Sequence, residues 1–275
     1  MSKRETVGFL SDYGLEDEFV GVCHGVMLRI APHVKIIDIH HNIRAQDVRH
    51  GALVLRQSMA FLPRHVHLAV VDPGVGSARR AVALQVASGA VLVGPDNGLL
   101  LPAAAASGGV ERAVELTNEA FLLAPVSRTF QGRDVFAPVA AHVASGVPVS
   151  ELGPDLAASE LVPLSIPEAR VEGELVHAEV LQIDRFGNIQ LNARPPQVAA
   201  AGVAPGADAR VVIQGREVTA PLRETFSAVG AGELVLVEDS YGYLCLALNR
   251  GRAADALGAR PGARVTLASP GGLGV

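Results

Sequence analysis

One acid follows an apolar run of the chain in a way that suits a catalytic carboxylate. Asp72 comes directly after Val66–Val71, and a Pro-Gly pair then turns the chain toward Arg79 and Arg80. Proline cannot continue a central strand, and glycine permits a tight reversal. A cation that folds back on an acid at a strand end keeps that acid ionised. The same residues also fit a surface turn with a solvated ion pair, and this segment alone does not separate the two interpretations.

Two further segments combine residue types that bind or react. Thr129–Asp134 reads Thr-Phe-Gln-Gly-Arg-Asp and opens a helical pattern that continues through Phe136 and Val143. Ile183–Asn188 groups an acid, an aromatic residue and an amide around a glycine. Each segment also has an ordinary explanation, since charged residues cap helices and this glycine fits a hairpin turn.

Histidines offer a weaker hypothesis of a metal site. Asp38 precedes His40 and His41, and a second pair, His65 and His67, flanks one residue. Both groups contain residue types that can bind a metal, but no H-E-x-x-H or C-x-x-C accompanies them, and histidines that flank strands usually cap an element or face solvent. We therefore expect no metal site, and a metal-dependent hydrolase that uses Asp38, His40 and His41 remains a minor alternative.

Familiar nucleotide and nucleophile motifs are missing from the sequence. Gly74-Val75-Gly76 is half of a dinucleotide fingerprint, but the G-x-G-x-x-G spacing is not there. No G-x-S-x-G elbow or phosphate-binding loop occurs. These observations disfavour a Rossmann cofactor site, acyl transfer by a serine and nucleotide hydrolysis.

The elements that carry these residues change character once along the chain. From Thr6 to about Gly153, continuous apolar runs alternate with amphipathic helical patterns, which predicts a largely parallel sheet covered on both faces. Ligands of such sheets bind beyond the carboxyl ends of the strands. Asp12, Asp72 and the turn 96–98 fall at that edge. Asp17 and Glu18 are predicted in the first turn of the first helix, where acids are favoured.

Beyond a proline-rich stretch the helical periodicity fades. We interpret residues 154–167 as a linker, and the short apolar runs that follow as strands joined by hairpins. Regularly spaced short strands are typical of a small barrel or sandwich. The predicted fold is an α/β N-terminal domain over residues 1–165 and an all-β, barrel-like C-terminal domain over residues 166–275.

Composition limits the class of protein. The chain has 275 residues, of which 49% are hydrophobic and 19% charged, so a sizeable core can form. A net charge of −5 with no long basic run gives no footprint for nucleic acid. No run is long enough to span a membrane, and the apolar stretch near the start is too short for a signal peptide. Two distant cysteines, Cys23 and Cys245, indicate free thiols in a reducing compartment. We expect a cytoplasmic protein.

Taken together, the motifs resemble those of the S-adenosyl-L-methionine hydrolases (adenosine-forming), relatives of the fluorinase and chlorinase that act on the same substrate. The resemblance extends from Phe9 to Gly251, and five motifs occur in the family's order. They are Ser11-Asp12, Asp72-Pro73-Gly74-Val75-Gly76, Gly94-Pro95-Asp96-Asn97-Gly98, Thr129–Asp134 and Ile183–Asn188.

This resemblance implies a role for each matching residue. Asp12 would hold both ribose hydroxyls, because a carboxylate has two oxygens that accept hydrogen bonds from a vicinal diol. Asp184 would bind the methionine ammonium, Phe186 would stack near the adenine and Asn188 would bond its edge. The remaining implied substrate contacts are Asp17, Ser240 and Tyr241 at the methionine end, Asp72 at the reacting centre, and Tyr243 and Leu248 along the adenine pocket.

The implied reaction is attack of water on the ribose C5′, which releases methionine and leaves adenosine. No cofactor is expected. The implied assembly is a homotrimer whose substrate lies between the N-terminal domain of one subunit and the C-terminal domain of the next. The halogenases have a tyrosine and a threonine where this chain has Asp72 and Val75, and a carboxylate there would repel a halide ion.

The sequence departs from the family at one catalytic position. Family hydrolases use an Asp-Arg-His set, which Asp72 and Arg79 match, but the histidine falls at Gln131. Glutamine forms hydrogen bonds and cannot carry a proton. If the histidine only orients a group, Gln131 preserves much of the activity. The alternative is a weakly active or non-catalytic protein that binds adenosine or S-adenosyl-L-methionine.

Overall fold

A computed structural model describes residues 4–271 of the chain. They form two compact units, divided in sequence between Ser165 and Ile166. Each unit has a hydrophobic core of its own. The α/β class of the first unit and the barrel-like class of the second confirm the predicted fold class.

The first unit is built on one twisted sheet. Its order is β2-β1-β3-β5-β4-β6-β7. The pairings from β2 to β5 are parallel, and β4, β6 and β7 add antiparallel pairings at the other side. The strands are β1 (Thr6–Ser11), β2 (Lys35–His40), β3 (Val66–Val70), β4 (Ala81–Val86), β5 (Val91–Pro95), β6 (Val110–Glu115) and β7 (Asp155–Leu156).

Helices cover both faces of this sheet. Every residue of β3 and β5 is buried, as their largely apolar sequences require. One core cluster joins α1 and α4 to the sheet, and another joins α2 and α3 to it. The helices are α1 (Phe19–Ile30), α2 (Val48–Ser58), α3 (Leu101–Ala106) and α4 (Ala137–Ala144), and a π-helical turn, Gly132–Phe136, leads directly into α4.

Shorter features correct two predictions for this unit. The helix α1 begins after Glu18, so Asp17 precedes the helix and does not lie in its first turn. The proposed linker belongs largely to the first unit, because β7 pairs with β6 and Leu161 is buried in the core. Single 3-10 turns also occur at Met59–Phe61, Glu119–Phe121, Val149–Glu151 and Ala158–Glu160.

The second unit is an antiparallel sheet that nearly closes on itself. Its order is β12-β11-β15-β9-β10-β14-β13, with β8 paired to β9. A bridge between Leu222 and Leu236 links the two ends of this order. The strands are β8 (Arg170–Glu172), β9 (Leu175–Ile183), β10 (Ile189–Leu191), β11 (Asp208–Ile213), β12 (Arg216–Pro221), β13 (Leu234–Glu238), β14 (Leu244–Leu248) and β15 (Arg264–Ala268).

The sequence analysis did not predict two short helices of this unit. They are α5 (Pro195–Ala200) and α6 (Ala253–Leu257), and a 3-10 turn covers Phe226–Ala228. Each helix has fewer than two turns, so the apolar spacing that identifies an amphipathic helix is not expressed. Within residues 4–271, no helix is long and apolar enough to cross a membrane.

Candidate active site

Two carboxylates lie at neighbouring strand ends of the first unit. The parallel pairing of β1 with β3 places Ser11 opposite Val70, so Asp12 and Asp72 leave the same edge of the sheet. The backbone amide of Asp12 donates to the carbonyl of Val70 (3.3 Å), which holds the two chain segments side by side there. This edge is where the sequence predicted the ligand crevice, and both predicted acids reach it.

Asp72 forms a buried ion pair with Arg79. The guanidinium donates through Nε to Oδ1 of Asp72 (3.0 Å) and through Nη2 to Oδ2, so the contact is bidentate. The side chains of Asp72 and Arg79 are only 6% and 8% exposed. A buried carboxylate needs such a partner to stay ionised. The solvated surface pair considered for these residues is therefore wrong.

Gln131 completes this group. Arg79 Nη2 also donates to Oε1 of Gln131 (2.6 Å), which links the ion pair to the residue that caps the π-helical turn. The Arg79 guanidinium lies over the ring of Phe136, 5.3 Å from its centroid, at the other end of the same turn. π-Helical turns are concentrated at functional sites. One turn thus provides two of the contacts that fix Arg79.

One donor of Arg79 finds no acceptor among the described residues. Nη1 is buried and makes no hydrogen bond with residues 4–271. A buried guanidinium N–H without an acceptor is costly, and such groups often face a ligand or water. We call Asp72, Arg79 and Gln131 the carboxylate cluster.

Close packing fixes the loops around the carboxylate cluster. A Cβ at Gly132 would overlap the hydroxyl of Tyr13, so only glycine fits beside Gln131. Gly76 has φ +78°, and a Cβ there would also lie 2.7 Å from the carbonyl oxygen of Arg128. Tyr13 packs edge-on against Phe130, at 5.8 Å between centroids. The turn that returns Arg79 to Asp72 is therefore tightly constrained.

The Asp12 carboxylate makes fewer hydrogen bonds than that of Asp72. Its Oδ2 accepts a hydrogen bond from the backbone amide of Gln46 (2.8 Å), a residue held at φ +65°. Burial raises the pKa of Asp12, the negative charge of Asp72 adds to the rise, and the Gln46 amide opposes it. Burial also raises the pKa of the adjacent Tyr13 phenol, which stays neutral. Asp12 can accept further hydrogen bonds from a diol.

The second arginine of the Arg79-Arg80 pair has a different role. Arg80 donates to Oδ2 of Asp96 through Nε (3.0 Å) and Nη2 (2.7 Å) and also reaches the carbonyl of Glu160. Oδ1 of Asp96 accepts from the amide of Val162 (2.9 Å). Asp96 thus ties the end of β5 to the segment after β7. It is a structural acid, although it leaves the same edge of the sheet.

In the second unit, Asp184 organises its own loop. Its Oδ1 accepts from the amides of Phe186 (2.8 Å) and Asn188 (2.9 Å), and its Oδ2 accepts from the Asn188 side chain (2.7 Å). Gly187, at φ +82°, lies so close to Arg252 that a Cβ would be 2.7 Å from the arginine's Cβ. The loop leaves Phe186 71% exposed. Carboxylates that accept from their own loop amides are typical of a rigid turn.

This loop borders a cleft of about 500 Å³ within the second unit. The predicted residues Phe186, Asn188 and Leu248 share the cleft. An exposed aromatic ring beside an amide is a combination that can stack on and hydrogen-bond a heteroaromatic base. The cleft is lined by Arg185, Phe186, Asn188, Phe226, Leu248, Asn249, Arg250, Gly251 and Arg252.

The remaining predicted contacts of the second unit lie at the hairpin between β13 and β14. Ser240 and Tyr241 are exposed there. Asp239 shapes the hairpin by accepting from the amides of Tyr241 (2.8 Å) and Tyr243 (3.0 Å). Tyr243 itself is buried, with the guanidinium of Arg194 4.1 Å from its ring centroid. It packs under the hairpin and does not line the cleft.

Comparisons with known proteins identify the family. The model of the SAM hydroxide adenosyltransferase N-terminal domain matches residues 7–153, and that of the C-terminal domain matches residues 178–266. This chain belongs to the SAM hydroxide adenosyltransferase family. The resemblance inferred from the five motifs is thereby confirmed.

The chain is similar to relatives named as hydrolases and to a fluorinase. A protein of Salinispora tropica named (R)-S-adenosyl-L-methionine hydrolase is 49% identical over 267 residues, covering 97% of this chain and 99% of the relative. A Thermus thermophilus protein of the same name is 41% identical over 278 residues, covering 95% and 98%. A fluorinase of an Actinoplanes species is 31% identical over 288 residues, covering 95% and 96%.

Solved structures also resemble this family member. The crystal structure of an uncharacterized conserved protein from Thermotoga maritima has a TM-score of 0.90 and 36% identity, covering 95% of this chain and 99% of that chain. A conserved hypothetical protein from Thermus thermophilus has a TM-score of 0.75 and 39% identity, covering 96% and 99%.

Relative to the family motifs, the structure groups some predicted residues and separates others. In the first unit Asp12, Asp72, Arg79 and Gln131 come together, whereas Asp17 is exposed in the bend before α1. In the second unit Asp184, Phe186, Asn188 and Leu248 come together. Their roles toward a substrate stay predictions.

Sequence reasoning missed several residues that these two sites use. Phe136 and Tyr13 support the carboxylate cluster, and Phe226 lines the cleft. Phe136 was noted only as part of a helical stripe. Phe226 carries no local signal, because the fold brings it to the cleft from a distant turn.

Proposed function

We propose that this chain hydrolyses S-adenosyl-L-methionine, in the R configuration at sulfur, to adenosine and L-methionine. Support comes from the family and from relatives at 41–49% identity that bear the name (R)-S-adenosyl-L-methionine hydrolase. The carboxylate cluster supplies the chemistry that this reaction needs.

The reaction is a displacement at the ribose C5′. The oxygen of a water molecule forms a bond to C5′ while the bond from C5′ to sulfur breaks. The bonding pair returns to sulfur, and the sulfonium becomes the neutral thioether of methionine. The water gives up one proton to Asp72 or onward to solvent. Because the leaving group departs readily, the protein mainly has to orient one water and stabilise its developing hydroxide character.

The buried Asp72–Arg79 pair with its unsatisfied donor is the observation that carries this proposal. Arg79 engages both oxygens of Asp72, and each oxygen keeps a lone pair for a water proton. Nη1 of Arg79 is a donor without an acceptor among residues 4–271 and stays available to a ligand or a further water. The carboxylate that Arg79 holds in place orients the attacking water through its free lone pair.

Recognition of the substrate uses the other predicted residues. Asp12 accepts from the ribose hydroxyls, Phe186 stacks on the adenine, and Asn188 bonds the edge of the base. Asp184 bonds to the loop of Phe186 and Asn188, and its remaining lone pairs receive the methionine ammonium. Ser240 and Tyr241, exposed at their hairpin, contact the methionine end of the substrate.

Halide transfer is disfavoured at this site. A halide ion would have to sit where Asp72 places its carboxylate, and two anions in one buried site repel strongly. Arg79 is already neutralised by Asp72. Water, a neutral nucleophile, suffers no such repulsion.

Gln131 fits an orienting role. Its Oε1 accepts from Arg79 at 2.6 Å, a contact that needs no titratable group. The alternative of a binding protein without turnover makes a different prediction. In that case the wild-type chain binds S-adenosyl-L-methionine without producing adenosine, and Gln131→His creates turnover.

The deciding experiment is product analysis by mass spectrometry in ¹⁸O-labelled water. We expect adenosine that carries one ¹⁸O atom, unlabelled methionine, and faster consumption of the R than of the S epimer. Asp72→Asn is the matched control and should release almost no adenosine. Absence of adenosine from the wild-type chain with both epimers would refute the proposal.

We also propose that the chain forms a homotrimer with shared sites, each using the first unit of one subunit and the second unit of the next. Support comes from the split of the chemistry: the carboxylate cluster lies in one unit and the aromatic cleft in the other. Mixing Asp72→Asn with Asn188→Ala subunits should then restore activity in hybrids. No recovery after exchange, or a monomer by light scattering, would contradict this assembly.

The surroundings we propose are those of a cytoplasmic enzyme that needs no cofactor. Cys23 and Cys245 are buried free thiols, which suits a reducing compartment. The net charge of −5 gives no reason to expect a nucleic acid partner, and we expect no association with a membrane. Because we expect no metal cofactor for the hydrolysis, the enzyme should keep its full activity after exhaustive chelation.

A further inference from the structure

A second group of polar side chains lies apart from the carboxylate cluster. His24 on α1, Asp38 on β2 and His41 just beyond β2 converge, and their ligand atoms all lie within 4.8 Å of one another. Nε2 of His24 is 2.8 Å from Oδ1 of Asp38, and Nε2 of His41 is 3.0 Å from the same oxygen. We call these three residues the His-Asp-His cluster.

The membership of this group corrects the sequence-based alternative. That alternative joined Asp38 to His40 and His41, but the ring of His40 lies against His50 instead, at 6.2 Å between centroids. In a regular strand His40, two residues on, would share the face of Asp38. The pairing of β2 with β1 shifts by one residue between Asp38 and His40, and His41 lies beyond the end of β2, so the regular alternation does not hold here. His24 takes the third place from a neighbouring helix.

The distances are near those between the ligands of one metal ion. Zinc bonds to imidazole nitrogen and carboxylate oxygen measure about 2.0–2.2 Å, so two ligand atoms lie about 3.4 Å apart at the tetrahedral angle and about 3.0 Å apart at a right angle. The observed 2.8 and 3.0 Å also fit two N–H donors on one carboxylate oxygen. The residue types and their surroundings therefore have to distinguish the two interpretations.

The surroundings favour a metal ion. Nδ1 of His41 lies 2.8 Å from Oγ of Ser11, an outer partner that orients a ligating imidazole when Nδ1 donates its proton. In that tautomer the lone pair of Nε2 faces Asp38, an arrangement that a cation bound between the two residues satisfies. The buried ring of Phe9 packs against His41 (4.7 Å) and His24 (5.9 Å), which gives the cluster an apolar floor.

The cluster is also accessible. The Asp38 side chain is 51% exposed and that of His24 is 26% exposed, whereas His41 is buried. An ion can enter from the Asp38 side, and water can occupy the positions that the protein does not fill.

We propose that the His-Asp-His cluster binds one divalent first-row transition metal ion, of the zinc class, through Nε2 of His24, Nε2 of His41 and the Asp38 carboxylate. Two imidazoles and one carboxylate suit zinc, cobalt or nickel, whereas magnesium and calcium prefer oxygen ligands throughout. The bound ion ties α1 to the end of β2. His41 in turn accepts at its carbonyl from the amide of Gly14 (2.8 Å), so the ion also steadies the loop that carries Asp12.

This site acts on the structure of the first unit and takes no part in the hydrolysis proposed above. Activity without added metal therefore does not contradict it. The sequence did not reveal it, because the three ligands come from separate elements and match no compact ligand motif.

The test is zinc titration of the full, chelator-treated chain by calorimetry, with cobalt absorption as an independent report on the ligands. We expect one zinc per chain and an unfolding midpoint raised by about 5 °C at a hundredfold excess over the dissociation constant. His24→Gln and Asp38→Asn should each weaken binding at least about tenfold. Asp38→Asn keeps an oxygen that accepts a hydrogen bond, so it separates a ligand from a hydrogen-bond partner.

The matched control is His40→Gln, which removes a neighbouring imidazole and should leave the affinity unchanged. His24 is partly exposed and Gln is similar in size, so His24→Gln should fold, and its unfolding midpoint without metal verifies this. No zinc binding by the wild-type chain, or binding that survives both His24→Gln and Asp38→Asn, would overturn the proposal. Loss of binding in His40→Gln alone would place the ion elsewhere and would also overturn it.

Discussion

The carboxylate cluster and the Asp184 loop both use an aspartate, but they use it in opposite ways. Asp72 is buried, and its main partner is a single charged side chain, Arg79. Asp184 is exposed, and its partners are the amides of its own loop together with the Asn188 side chain. The first arrangement positions a charge for chemistry, and the second shapes a surface for recognition.

This difference follows from the elements that carry the two acids. A parallel sheet covered by helices buries its strand ends, so an acid there needs a cation and becomes a preorganised charge. A hairpin loop of a small barrel stays in water, where an acid contributes by ordering backbone. We therefore expect changes in the carboxylate cluster to act mainly on kcat and changes in the Asp184 loop to act mainly on KM.

The largest expected effect comes from the buried acid. Asp72→Asn should lower kcat by about 10² to 10⁴-fold with little change in KM, because the amide cannot take a proton from water. Steady-state kinetics of adenosine release measure this. Asp96→Asn is the matched control, since Asp96 also pairs with an arginine yet only braces the fold; it should lower the unfolding midpoint and keep kcat. Equal kcat losses in both variants would remove the distinction between the two pairs.

Loss of the aromatic ring in the second unit should act on KM. Phe186→Ala removes an exposed ring and should raise KM about 10- to 100-fold, the loss expected when a base no longer stacks. The unfolding midpoint should not change, since the ring is 71% exposed. Phe61→Ala, which removes another strongly exposed ring, should leave KM unaltered. A fall in kcat at constant KM would mean that this loop acts on the chemical step.

Removing the aromatic ring that packs on the Arg79 guanidinium should lower kcat less than the loss of Asp72 does. Phe136→Leu keeps an apolar side chain but removes the ring under Arg79, and we expect kcat to fall about tenfold, as a buried cation–π contact allows. The control is Phe121→Leu, a change in the same core without a guanidinium contact. In an Arg79→Ala background, Phe136→Leu should cost almost nothing further in kcat. Additive losses in kcat would show that the ring acts independently of Arg79 and would contradict the assigned contact.

The smallest effect is on stability alone. Burial lowers the pKa of His67 on β3 to about 4, with nearby cationic groups adding to the shift. In the unfolded chain His67 takes up a proton near pH 6.5, whereas in the folded chain it does so only near pH 4. The contribution of neutral His67 to the free energy of unfolding is therefore fully present above pH 6.5, and about 3 kcal/mol of it is lost as the pH falls to 4.

Urea unfolding across this pH range tests the prediction. The difference in unfolding free energy between the wild-type chain and His67→Gln should shrink as the pH falls from 6.5 to 4. His33→Gln, an exposed histidine, should follow the wild-type dependence. A constant difference for His67→Gln would contradict the assigned pKa.

Local patterns were enough to predict much of this molecule. The apolar run Val66–Val71, ended by an acid and a Pro-Gly turn, located a strand end correctly, because burial on both faces requires such a run. Short helices such as α5 were not predictable, since so few residues show no periodicity. The stretch 154–167 was misread as a linker, because the pairing of β7 with β6 is a long-range contact that prolines and short apolar runs do not reveal.

The fold class, the family and the acid at the end of β3 could be predicted from the amino-acid sequence, because all three depend on residue types in order along the chain. The tertiary structure was needed to show that Arg80 pairs with Asp96, which leaves Arg79 to Asp72 as the family resemblance implied. It also decided that His24 joins Asp38 where His40 does not. Each of these choices depends on the direction in which a side chain leaves a turn or strand. Packing elsewhere sets that direction, as Gly76 does against Arg128.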